Sequence, residues 1–290
     1  METQLSSATR TVVISPANPT VLIGERINPT GKKKLAAALK EGNLEIVRQE
    51  ALAQVEAGAD VLDVNVGAAG VDEVALLPRA VQVVMETVDV PVCIDSANPQ
   101  ALRAALETHR RLAPDARPLI NSVNGEERSL SAVLPLVKEF GAATIALTMD
   151  EGGIPDNAAK RLAIATKIVE RAAALGIPQD SIIVDCLALT VGADQMAATI
   201  TLEAIRRVRE ALGVNQTLGA SNVSFGLPDR ELLTSAFLCL AIGAGVTCPV
   251  VDVAKVRASI LATDLLLGRD EYAMRYLKGF RQRQAKQADA

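Results

Sequence analysis

The chain has 290 residues, enough for one α/β barrel with additions, and its 49% hydrophobic and 22% charged residues supply a sizeable core and exclude wholesale disorder. A formal net charge of −4, no Trp and two Tyr offer neither a basic field for a phosphate backbone nor an aromatic platform for single strands, so nucleic acid is not an expected partner. The four cysteines, Cys93, Cys186, Cys239 and Cys248, show no Cys-x-x-Cys pairing and read as small apolar packers in a reducing compartment, not as disulfides or a zinc site.

Residues 1–19 form an N-terminal extension without the charged start and apolar run of a signal peptide. No stretch reaches the roughly 18 apolar residues of a membrane helix, so a cytoplasmic protein without a membrane partner is expected. The first β-branched run is VLIGERIN (21–28), and Lys32, Lys33 and Lys34 behind it read as a solvated helix start, with attraction of an anionic tail or an acidic partner as the alternative. VLDVNVG (61–67) follows, then DEVALLPRAVQVVMETV (72–88), a helical pattern that Pro78 is expected to bend or to start late. After PVCIDS (91–96), the chain's one histidine, His109, stands among charges in LETHRRLAP (106–114) and reads as a surface residue in a helix-to-strand connection. PLINSVNG (118–125) and TIALTMD (144–150) come next, with DEGGIPDN (150–157) as a turn. The amphipathic run 157–176 ends at Gly176 with Pro178 beyond. IIVDCLAL (182–189), LGASNVSFG (218–226) and VTCPVVD (246–252) complete eight candidate strands, and 268–290 reads as a C-terminal helical tail. The apolar LLTSAFLCLAIGAG (232–245) reads as a barrel helix facing the strands, with a subunit interface as its alternative.

Taking Glu25, Asp63, Asp95, Asn121, Asp150, Asp185, Asn222 and Asp252 as strand-end markers, successive gaps run from 26 residues (Asp95 to Asn121) to 38 (Glu25 to Asp63). Each gap suits one βα unit of about 30 residues. Eight in tandem, with no linker dividing the chain, predict a single (β/α)8 TIM barrel over 1–290, a doubly wound open sheet being the alternative. In that fold chemistry sits at the C-terminal mouth of the strands, where these markers lie.

The mouth would gather Glu25, Asp63, Asp95, Asp185 and Asp252 with Asn65, Asn121, Ser122, Asn124 and Asn222. Asp150 is the weakest candidate, belonging to a turn, and Asp252 is open to a role as helix cap. Oxygen ligands suit Mg²⁺, but no metal-binding spacing is present, so no tightly bound metal is expected. A Schiff-base enzyme needs a lysine inside the barrel, and no strand carries one. The eighth run lacks the glycine-rich turn of a phosphate site. A carboxylate accepting from an N–H and an exocyclic amine, beside amides that both donate and accept, suits a planar nitrogen heterocycle such as a pterin.

GERINPTGKK, LDVNVG, CIDS, INSVNGEE, ALTMDEGGIP, VDCL and LGASNVSFGLPDR, in this order over about residues 21–267, resemble the pterin-binding barrel of the methyltetrahydrofolate:corrinoid methyltransferases, also found as the folate domain of cobalamin-dependent methionine synthase. The resemblance implies a substrate, tetrahydrofolate or 5-methyltetrahydrofolate, whose ring is held by Asp95, Asn121 and Asp185, with Asn222 at N5. It places Glu25, Asn28, Asp63, Asn65 and Ser122 around the same cavity, and Arg230 near the loop that carries Asn222. It implies a homodimer, and a corrinoid brought by a separate corrinoid protein, since no Asp-x-His-x-x-Gly signature is present. The loop after GERIN departs from other members. Dihydropteroate synthases share such a pocket, but VVDVAKVRAS (250–259) stands where their Ser-x-Arg-x-His type signature would be. A folate-binding module without catalysis is the other reading.

The chemistry so implied has a demanding step. An amine anion is a very poor leaving group, so N5 must receive a proton or hydrogen bond as its bond to the methyl carbon breaks. Asn222 donates and rotates but does not titrate near neutrality, so the proton would travel through water and carboxylates such as Asp185.

Overall fold

A computed structural model describes residues 1–288 and places the eight βα units in one ring. The chain opens with an antiparallel hairpin, β1 (Thr3–Ser6) and β2 (Thr11–Ile14). The ring then begins with β3 (Ile23–Ile27), α1 (Lys33–Lys40), α2 (Glu45–Ala57), β4 (Val61–Val64) and α3 (Glu73–Thr87). It continues through β5 (Val92–Asp95), α4 (Pro99–Leu112), β6 (Leu119–Asn124), α5 (Glu127–Phe140), β7 (Ala143–Leu147) and α6 (Ala158–Ala174). Last come β8 (Ile182–Asp185), α7 (Ala197–Leu212), β9 (Asn215–Thr217), α8 (Arg230–Ala244), β10 (Val250–Val251), α9 (Val253–Leu266) and α10 (Met274–Ala288). The strands pair in parallel in the order β10-β3-β4-β5-β6-β7-β8-β9, and a bridge from Gly219 to Val250 closes the circle into a (β/α)8 TIM barrel.

Strand periodicity divides the core in two. Outward residues such as Leu62, Val64, Ile94 and Ile120 pack under the helices. Inward ones, among them Ile23, Val61, Cys93, Leu119, Ile145 and Ile183, fill the barrel. Leu5, Val12 and Ile14 of the hairpin join the inner cluster, so the segment expected as an extension plugs the bottom of the barrel. Arg117 N–H donates to Ser6 Oγ at 2.8 Å, and Asn215 Nδ2 donates to Thr3 Oγ1 at 2.9 Å and to the Ile14 carbonyl at 3.0 Å, which anchors the plug. The cysteines are free, three of them buried, in keeping with packing roles.

Three local expectations are corrected. The seventh strand is Asn215–Thr217, not 218–226. Its polar side chains are fully buried because each finds partners, as where Gln216 Nε2 donates to the Ile205 carbonyl and Thr217 Oγ1 to the Cys248 carbonyl. The segment 218–226 instead forms a 3-10 turn over Ala220–Ser224. Pro78 does not start its helix late: α3 starts at Glu73, capped by Asp72 accepting from Ala75 N–H, and carries the proline inside it. His109 is 2% exposed, on the α4 stripe of Leu102, Ala105 and Leu106, and burial pushes its imidazole down to about 4. The charged neighbours that suggested a surface site lie on the other face of a helix that runs on to Leu112. At the C-terminus α10 forms as expected, and the last two residues of the expected tail lie outside the described residues.

Candidate functional site

With the bottom plugged, the carboxyl ends of the strands surround a cavity of 560 Å³. Glu25 enters it from β3 because that strand is bulged between Gly24 and Ile27. The N–H of Arg26, taken off the ladder, donates to Gln54 Oε1 at 2.8 Å on α2. Gly24 permits this approach, since a Cβ there would lie 2.4 Å from the same oxygen.

Asp63, Asp95 and Asn121 lie on three consecutive strands, Asp95 paired across the ladder with Asn121 and Asp63 with Cys93, two residues before Asp95. Asn121 Nδ2 donates to Asp63 Oδ1 at 3.1 Å, and the carboxyls of Asp63 and Asp95 are hydrogen-bonded to each other. Burial raises the pKa of both above the usual carboxylate range, and the neighbouring charge of Asp63 raises Asp95 further, because two adjoining buried carboxylates cannot both ionise. Each carboxyl therefore favours its protonated form more than a free one does. Glu25 is raised too, by burial first, despite the opposing charge of Lys32 and a hydrogen bond from Ser221. Asp185 points inward from β8, 7% exposed; burial pushes it up to about 7, although its Oδ1 accepts a 2.6 Å hydrogen bond from Leu187 N–H.

Asn222 lies on the cavity wall in the 3-10 turn after β9. Its Nδ2 would be 3.2 Å from a Cβ at Gly219, so a side chain there would press on the amide. Arg230 braces the turn, donating from Nη2 to the Ser221 carbonyl at 2.8 Å and from Nε to Ser224 Oγ at 3.2 Å, with its guanidinium over the Phe225 ring.

The structure thus brings Glu25, Asn28, Asp63, Asp95, Asn121, Asn222 and Arg230 to one wall. Three candidates stand off it. Asn65 backs it, bonding the Asp95 carboxyl and accepting from Gly67 N–H. Ser122 falls where β6 shifts register between Asn121 and Val123, and Asp185 is held back by its bond to Leu187. Asp150 forms a turn with Gly153, as its sequence indicated. Asp252 precedes α9 without capping it: its Oδ2 lies 3.6 Å from Arg26 Nη1 and 3.7 Å from Lys255 Nζ, on the cavity wall.

The lysine run is corrected in one of its three members. Lys33 and Lys34 are solvated, but the loop at Gly31, φ +71°, folds Lys32 back over the mouth. There its Nζ donates to the carbonyls of Glu25 at 3.1 Å and Arg26 at 2.9 Å, and burial lowers its pKa. Only the glycine ahead of the run signalled this in the sequence. Among the described residues, no group of three or more His, Cys, Asp and Glu side chains is arranged to hold a metal ion, and no helix is long and apolar enough to cross a membrane.

Comparison with known proteins follows this geometry. Residues 24–252 match the family described as pterin binding enzyme. The chain is 32% identical over 270 residues to the methylcorrinoid:tetrahydrofolate methyltransferase of Eubacterium limosum, covering 90% of this chain and 96% of that one. It is 32% identical over 268 residues to a methionine synthase of Mycobacterium tuberculosis (strain ATCC 25618 / H37Rv), spanning 88% of this chain but 22% of the larger protein. Among solved structures, dihydropteroate synthase of Xanthomonas albilineans superposes with a TM-score of 0.71 at 20% identity, over 92% of this chain and 99% of that one. The Yersinia pestis dihydropteroate synthase does so with a TM-score of 0.68 at 16% identity, over 92% and 100%. At these identities the two structures share the fold.

Proposed function

Because the chain belongs to the pterin binding enzyme family, we propose that it is a methyltransferase moving a methyl group between N5 of tetrahydrofolate and the cobalt of a corrinoid carried by a separate protein. The observation that carries this reading is the cavity wall itself. It pairs two adjoining carboxyls, each bonded to an amide, in a chain that matches the Eubacterium limosum enzyme over almost its whole length. Asp95 and Asp63 suit the N–H and amino edge of a pterin, and Asn121, bonded to Asp63, fixes their orientation. Asn222 then serves N5, where its amide donates as the bond to the methyl carbon breaks and accepts once N5 carries a hydrogen. Asp185, pushed up to about 7, exchanges a proton near neutral pH and passes it toward N5 through water. Glu25 and Arg230 complete the wall toward the open side.

When its carrier docks, the corrinoid supplies the cobalt that gives up or receives the methyl group. No imidazole from this chain is placed to serve that metal, since His109 sits near the C-terminal end of α4, in a cleft with Ser7 and Ala8 of the hairpin at the plugged end of the barrel. This favours a corrinoid held by another protein. The exposed apolar rim, Phe225 with Leu189 and Met196, suits docking over the mouth. The relative's name orders the transfer from methylcorrinoid to tetrahydrofolate, and the same residues serve either direction because both pass through one transition state. A homodimer formed through α8 belongs to the same reading. Leu232 and Leu240 are exposed on that helix, and no residue from Leu232 to Gly245 is charged.

Incubating the protein with reduced cobalamin and 5-methyltetrahydrofolate, and following both chromophores, tests the proposal. Conversion of both is expected. Tight folate binding without conversion would leave a folate-binding module.

A further inference from the structure

Arg161 is the largest side chain fully withdrawn from solvent, 1% exposed, and it projects from α6 into the layer between strands and helices. Its hydrogen bonds go to backbone and hydroxyl oxygens, while Asp185 and Asp156 act on its charge from farther away. Burying a guanidinium in this way is unfavourable unless its donors are used on something that must be held. Nε donates to the Pro155 carbonyl at 2.9 Å, before α6, and Nη1 points at the carbonyls of Cys186 at 2.7 Å and Leu187 at 2.8 Å and at Thr201 Oγ1 at 3.0 Å. Thr201 Oγ1 in turn lies 3.1 Å from the Leu187 carbonyl and 3.0 Å from that of Ala197. One buried cation therefore ties the loop after β7, the loop after β8 and α7 together.

The place it ties is unusual. Leu187 has φ +58°, a left-handed conformation that a residue with a branched side chain adopts only where its surroundings enforce it. In that conformation Leu187 turns its N–H onto Asp185 Oδ1 at 2.6 Å. The clamp on the Cys186 and Leu187 carbonyls holds the turn, and the turn, together with a bond from Gly219 N–H, fixes the carboxylate.

We propose that Arg161 is a positioning residue for methyl transfer, acting through the Leu187 turn to hold Asp185 in its productive orientation. This rests on the function proposed above, in which Asp185 handles the proton for N5. The titratable and charged groups facing Asp185 are Arg161 from α6, Cys186 beside it and Cys248 from the opposite flank, so Arg161 is the one cation in its surroundings.

The test uses the full chain with Arg161→Lys, which keeps the charge and loses the fork, and Thr201→Val, which loosens the clamp and leaves the arginine. Both variants are expected to bind tetrahydrofolate like the parent in calorimetry. Turnover at saturating folate is expected to fall on the order of 10- to 100-fold for Arg161→Lys and less for Thr201→Val, as displacement of a working group does. The inflection of turnover against pH moves upward in both, because weakening a hydrogen bond to the ionised carboxylate favours its protonated form. Adding Asp185→Asn to Arg161→Lys produces no loss beyond that of Asp185→Asn alone. Parent-like turnover and inflection in the folded variants, or losses that multiply with Asp185→Asn, overturn the proposal. If Arg161→Lys does not fold, Thr201→Val decides. If the parent itself transfers no methyl group, the function fails, and the positioning role is judged separately by carbon NMR titration of the Asp185 carboxyl. An unshifted titration in Thr201→Val then overturns it.

Discussion

At position 222 an amide stands in a ring whose other polar members are largely acids, and the two kinds of group divide the labour. An ionised carboxylate only accepts hydrogen bonds, whereas Asn222 both donates and accepts, which N5 requires as it gains and loses its methyl group. Asn222→Ala should therefore lower methyl-transfer turnover by on the order of 100-fold while changing folate affinity much less, measured by single-turnover kinetics beside calorimetry. Asp95 adjoins Asp63, and its carboxyl suits the pterin edge. Asp95→Asn should weaken folate binding by about 10-fold or more in calorimetry, since one acceptor of a paired contact becomes a donor facing a donor. Asp185, at about 7, is protonated below that pH, so turnover from 5-methyltetrahydrofolate should fall as pH rises through about 7, and Asp185→Asn should flatten that limb of the profile.

The elements that aim these groups are short and irregular. The β3 bulge presents Glu25, and it depends on Gly24 admitting Gln54. Gly24→Ala should displace the Gln54 amide and destabilise the fold by about 1–3 kcal/mol in urea unfolding, with a loss of folate affinity as Glu25 shifts. The same scale shows why the sequence was readable in some places and not in others. Seven of the strands announce themselves by β-branched runs ending in a polar residue, because a strand buried on both faces has to be apolar. β9 does not, since Asn215, Gln216 and Thr217 are buried by hydrogen bonds to distant backbone that no local pattern encodes. The wall residues could be picked out because strand ends face the mouth in this architecture, whereas Lys32 reaches it only through a loop whose fold depends on Gly31. His109 was misplaced because its neighbours in sequence are charged, while its neighbours in space lie along the helix stripe. The hairpin carries too few residues to display an amphipathic period, so its role as a plug emerges only from packing.

Across the whole molecule, the buried acids govern how stability responds to pH. Glu25, Asp63, Asp95 and Asp185 all have folded-state pKa values above their ordinary ones, so the folded chain binds more protons than the unfolded chain in that interval, and stability falls as pH rises. His109 acts oppositely, but between its ordinary 6.5 and about 4. Lowering pH from about 8 to about 6.5 should thus raise the Tm of the ligand-free protein, and Asp185→Asn should shrink that rise. A dimer through α8 predicts that Leu240→Glu yields a monomer in light scattering with folate binding retained, and a parent already monomeric would remove the dimer from the account. The central claim, that the mouth of this barrel transfers a methyl group at N5, is tested most directly by rapid mixing of the folate-loaded parent and Asn222→Ala with cobalamin, from 5-methyltetrahydrofolate to the reduced form and from the methylated form to tetrahydrofolate. Transfer by the parent and a large loss in the variant are expected in both directions at matched folate occupancy. Equal rates in the two proteins, or no transfer by a folate-saturated parent, would contradict it.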